Sequence, residues 1–144
     1  MFKIFIMALL FSSSLLAYNA GDRIDKSVIN QLALKKDKVY IINFFASWCS
    51  SCKKELPLIN TLSKKYNIIG INIDKELQKG ESFVTKMNLK FKVIYDSDNA
   101  IVGKFKPVGV PAIYFVKDGT ILAEKFGAID KIDEFIALTL KEIK

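Results

Sequence analysis

Residues 39–46, VYIINFFA, form an apolar run rich in β-branched and aromatic side chains, broken only by Asn43. A run of this kind reads as a central strand buried on both faces. Just beyond it the periodicity changes. Leu56, Ile59, Leu62 and Tyr66 recur at steps of three and four, which predicts a helix from about Cys49 to Tyr66. A buried strand that runs directly into an amphipathic helix is a unit of α/β architecture. The chain's only two cysteines, Cys49 and Cys52, sit at that junction within FASWCSSCKKELP.

The remaining pattern extends the same plan. Residues 68–73, IIGINI, read as a second buried strand, 81–87 as a short helix, 91–95 as a brief strand and 101–105 as a helical turn. Residues 112–116 and 121–126 flank Lys117-Asp-Gly-Thr120, a strong hairpin signal. Ile132, Phe135, Ile136, Leu140 and Ile143 make the buried stripe of a final helix, and 27–34 suggest an additional helix near the start. The expected fold is α/β, a central mixed β-sheet flanked by helices. At 144 residues and 51% hydrophobic, with no repeat or linker, the chain suits one domain with a real core.

The first 20 residues stand apart. Lys3, an apolar stretch from Ile4 to Phe11 and then small and polar residues have the layout of a secretory signal. A helix from Ile4 to Ala17 would span about 21 Å, short of the roughly 30 Å hydrocarbon core. The expectation is a signal peptide over 1–20, cleaved after Ala17 or Ala20, ahead of a domain over 21–144. An uncleaved membrane anchor is the alternative. The net charge of +7 comes from scattered lysines with no recognition motif, so no nucleic-acid partner is expected.

Two cysteines without any histidine cannot make a single-chain Cys/His zinc site, and Lys53 stands where haem attachment through Cys-x-x-Cys-His needs histidine. A disulfide across so short a loop constrains the unfolded chain little. A reversible dithiol remains. At a helix N-terminus the free N–H groups and the dipole favour an anion, and Lys53 and Lys54 add to the effect. The Cys49 thiolate is thereby favoured as nucleophile. Cys52, one turn further along on the same face, is within reach and more shielded, which suits the resolving thiol.

The segments INFFASWCSSCKKELP, LKFKVIYD and GVPAIYFVKDGTI, in that order, resemble the thioredoxin superfamily, and within it the exported TlpA/ResA/DsbE-like branch. The resemblance runs from Lys38 to the C-terminus and implies a thioredoxin-like fold. It also implies that Pro111 is the cis-proline facing the cysteine pair, exposing the Val110 backbone for strand-like pairing with substrate. Trp48 is expected to line the active-site surface, with an indole filling the core edge as the rival reading. Asn43 stands where cytoplasmic thioredoxins carry a buried aspartate, and it cannot take a proton from Cys52. Glu55, three residues after Cys52, matches the functional glutamate of ResA-like proteins, and desolvation would raise its pKa and fit it for proton exchange. The alternative for Glu55 is an exposed helix glutamate paired with lysines. Pro57 is expected to kink the helix. Ser51 replaces a proline frequent in relatives.

The resemblance implies an exported thiol:disulfide oxidoreductase, with no cofactor beyond the redox-active disulfide Cys49–Cys52 and no metal. It would act mainly as a reductant of disulfides in exported proteins, apocytochrome c above all, fed by a transmembrane thiol electron donor. A general periplasmic disulfide reductase, a DsbA-type oxidase and a copper-handling chaperone are the alternatives. The oxidase family carries a large helical insertion, for which the 37 residues between Ile73 and Pro111 leave no room. The lack of histidine argues against the copper chaperone.

Overall fold

The structure is a computed structural model that describes residues 16–143. Five strands, β1 (Val39–Phe45), β2 (Asn67–Asn72), β3 (Lys92–Tyr95), β4 (Ala112–Lys117) and β5 (Thr120–Phe126), form one sheet in the order β3-β2-β1-β4-β5. β1 pairs in parallel with β2, and β2 with β3, while β4 joins β1 and β5 antiparallel. The helices are α1 (Lys26–Leu32), α2 (Ser50–Leu62), α3 (Leu77–Lys86), α4 (Val102–Phe105) and α5 (Ile132–Glu142). Strands and helices thus form the expected mixed sheet covered by helices.

The apolar run of β1 is central, and its alternation feeds both faces. Ile42 and Phe44 pack with Ile69, Ile71, Tyr114 and Phe105 on one face. Ile41 joins Phe115, with Ile59 of α2 and Ile136 of α5, on the other. A third cluster, Phe45, Ala46, Cys49, Cys52, Leu56 and Phe83, closes the C-terminal end of β1, so the cysteines rest on core. At the opposite end the β4–β5 hairpin turns through Asp118 and Gly119, both at positive φ, as a two-residue turn of the primed type requires.

Several element ends differ from the sequence expectation, α1 among them, which covers Lys26–Leu32 rather than 27–34. α2 stops at Leu62, and Tyr66 reaches the core from the turn that follows, its N–H donating to Leu62 O at 3.0 Å. Cys49 is not in the helix but caps it. α3 starts at Leu77 rather than 81, running through Gly80, where a Cβ would lie 3.0 Å from Asn72 Cγ and overlap its amide oxygen. That glycine serves close approach, not helix termination.

Most of the expected signal segment lies outside the described residues, among which no helix is long and apolar enough to cross a membrane. Ahead of Gly21, the Tyr18 ring already packs edge-on against Phe105 at 5.0 Å, and its hydroxyl accepts the Asp25 N–H at 3.1 Å.

Candidate active site

β1 ends at Phe45, the chain continues through the buried Ala46, and α2 begins four residues later. Cys49 occupies the N-cap, and the Cys52 N–H donates to its Sγ at 3.2 Å. One of the unpaired donors of the first helical turn therefore points at the sulfur that the sequence marks as nucleophile. The two cysteines are joined as a disulfide, with Cα atoms 5.3 Å apart. Both are buried, Cys52 the more deeply. Lys53 and Lys54 are exposed on the same turn. Ser51 Oγ lies 3.6 Å from Cys49 Sγ.

A second element meets the sulfur from across the sheet. The Val110–Pro111 bond is cis, and the Val110 carbonyl oxygen lies 3.6 Å from Cys49 Sγ. Pro111 leads into β4, and its own carbonyl accepts the Gly127 N–H at 2.8 Å, which ties this loop to the end of β5. Two large apolar side chains in the segments that carry Cys49 and Pro111 are exposed, Trp48 at 66% and Val108 at 88%. The indole thus lies on the surface beside the cysteines, not at the core edge.

Glu55 is on the second turn of α2 and only 7% exposed, not paired with a lysine. Its Oε1 accepts the Ile129 N–H at 2.5 Å, and its Oε2 is buried with no hydrogen-bond partner among the described residues. Burial pushes its pKa up, and the Ile129 N–H pulls part of the way back. Asn43, in the middle of β1, is also buried with an unpartnered side-chain oxygen. Pro57 lies inside α2 on its exposed side.

Three polar residues that the sequence reading passed over adjoin this site. Ser47 donates through both its N–H and its hydroxyl to the carboxylate of Asp74, which also accepts from the Asn72 side chain. Their signal in the sequence was faint: two polar residues, Asn72 and Asp74, at the end of an otherwise apolar strand segment.

A dithiol capping a helix at the end of a central strand, faced by a cis-proline loop, defines a thioredoxin-like protein. The chain belongs to the AhpC/TSA family, whose sequence model matches residues 19–125. Among proteins of known sequence, it is 32% identical over 98 residues to the thiol-disulfide oxidoreductase ResA of Bacillus cereus, covering 64% of this chain and 57% of that one. The chain thus spans little more than half the length of the ResA relatives it matches. Among solved structures it is similar in fold to a DsbE-type thiol:disulfide interchange protein from Chlorobium tepidum, with a TM-score of 0.72, 17% identity, and 89% and 99% of the two chains covered. It is similar likewise to StoA from Bacillus subtilis, with a TM-score of 0.63, 23% identity, and 72% and 86% covered.

Proposed function

We propose that this chain is an exported thiol:disulfide oxidoreductase that reduces disulfides of exported proteins. The observation that carries the reading is the placement of Cys49 Sγ, which receives the Cys52 N–H at 3.2 Å and lies 3.6 Å from the Val110 carbonyl. A substrate segment that extends along Val110 brings its disulfide to this sulfur. The Cys49 thiolate attacks one substrate sulfur, forming a mixed disulfide and expelling the other as a thiolate. Cys52, deprotonated, then attacks Cys49 Sγ. This forms the Cys49–Cys52 disulfide and releases the second substrate sulfur, so two electrons pass from the protein dithiol to the substrate. Glu55, with a raised pKa and an unpartnered oxygen, is suited to hold and return the proton that Cys52 must lose.

The finer reading rests on the ResA/DsbE resemblance. The substrate is the haem-binding cysteine pair of an apocytochrome c, and a transmembrane thiol carrier restores the dithiol. The N-terminal apolar stretch supports export, with the domain tethered or released according to whether that stretch is cleaved.

Trapping tests the chemistry. In Cys52→Ser the resolving thiol is gone, so mixed disulfides through Cys49 accumulate with exported proteins. In Cys49→Ser none form. No adduct in Cys52→Ser, or equal adducts in both variants, would end the proposal. Loss of c-type cytochromes on deletion of the gene supports apocytochrome c, and their normal content leaves a general exported reductase.

A further inference from the structure

Asp74 is 3% exposed and makes no ion pair among the described residues, yet both of its carboxylate oxygens accept hydrogen bonds, three in all. Oδ1 accepts the Ser47 hydroxyl at 2.6 Å, and Oδ2 accepts the Ser47 N–H at 3.0 Å and the Asn72 side-chain amide at 2.7 Å. Asn72 Oδ1 accepts the Asp74 N–H in return at 3.2 Å, and Asn72 is pressed from the other side by Gly80 of α3. One residue earlier, the Ile73 N–H donates to Phe45 O at 3.0 Å. The end of β2 therefore grips residues 45–47 through three hydrogen bonds, and Trp48 and Cys49 follow at once.

A buried carboxylate is costly unless its hydrogen bonds are made, and here two of the three are made to one residue of the loop that carries Cys49. We infer that Asp74, acting through Ser47, is a positioning residue that sets Cys49 at the N-terminus of α2. Without this grip the sulfur loses its alignment with the Cys52 N–H and the Val110 carbonyl, since Asp74 is the acceptor that holds Ser47 from the β2 side. The inference rests on the dithiol reading above and names a residue which that reading does not use.

The test is Ser47→Ala, which removes the hydroxyl and leaves the carboxylate, beside Ser47→Thr, which keeps a hydroxyl. Two readouts apply to the reduced protein: the pH midpoint of Cys49 alkylation, and kcat and KM for insulin disulfide reduction. In Ser47→Ala the midpoint moves up toward that of an ordinary thiol, about 8.5, and kcat falls about tenfold with KM little changed. Ser47→Thr restores both to within about twofold, because its hydroxyl reaches the same acceptor. A Ser47→Ala protein with the parent's midpoint and kcat overturns the inference even if its melting temperature falls, for the network would then be a brace only. A parent midpoint that is already ordinary overturns it too. If the parent reduces no disulfide, the functional proposal fails, while the alkylation series still decides the positioning role.

Discussion

Two buried carboxylates stand on either side of the cysteine pair, and they are treated in opposite ways. Asp74, reached through Ser47 before Cys49, has both oxygens occupied. Glu55, three residues after Cys52, has one oxygen bonded to the Ile129 N–H and the other buried with no partner. A carboxylate with donors on both oxygens holds those donors in place. A half-satisfied one gains by taking a proton, which is the property an acid–base group needs. On the proposed reading, the site would separate fixing geometry from moving protons by how completely each carboxylate is hydrogen-bonded, not by residue type.

The largest effect is expected where the satisfied carboxylate is removed. Asp74→Ala leaves the Ser47 N–H and hydroxyl and the Asn72 amide without their acceptor in a buried setting, at a cost of about 3 kcal/mol. Urea denaturation of the oxidised protein measures it. A loss below about 1 kcal/mol would mean that water replaces the carboxylate without penalty, and the contrast with Glu55 would dissolve.

A smaller effect comes from pressing on the same network at a distance. In most helices Gly→Ala stabilises by about 1 kcal/mol. At Gly80 the added methyl would overlap the Asn72 amide oxygen and come within 3.2 Å of the Tyr95 ring. Overpacking of this kind costs about 2 kcal/mol, so the net sign should be destabilising. A gain in the midpoint of Gly80→Ala would show that Asn72 yields easily and that the grip on Ser47 is loose.

These two sites also mark the limit of what the sequence disclosed. The β1 run, the α2 periodicity and the hairpin at Asp118-Gly119 were legible because each is a local pattern of apolar spacing or turn chemistry. Cys49 and Cys52 were legible because two cysteines with no histidine leave few chemistries. The start of α3 was missed because residues 77–80, LQKG, hold a single apolar side chain, and the reason for the glycine there, the Asn72 side chain, is on another element. Ser47 and Asp74 are 27 residues apart and belong to no local period, so their pairing appears only once β1 and β2 are aligned. For Glu55 the spacing placed it beside Cys52 but left its burial open. The Ile129 N–H that meets it comes from the segment before α5, which no helical spacing could indicate.

The smallest effect falls on Glu55 itself, and its sign depends on pH. Burial raises the Glu55 pKa in the folded protein above its unfolded value of about 4.3, so the native state binds this proton more tightly. Folding stability is then greatest below the unfolded pKa. It declines as pH rises toward the folded pKa and levels off above it. Glu55→Gln cannot ionise, and its amide oxygen still accepts the Ile129 N–H. The variant should therefore match the parent near pH 4 and exceed it by about 1 kcal/mol at pH 7, the order of cost of one unpartnered buried polar atom. Urea midpoints at the two pH values, with the disulfide intact, give the comparison. In the reduced protein the same variant should slow release of the mixed disulfide, because the carboxylate proposed to take the Cys52 proton is gone. Should Glu55→Gln instead be less stable than the parent at pH 7 and equal at pH 4, the Glu55 carboxylate would be stabilised rather than penalised in its charged form, and the proton would have to leave Cys52 by another route.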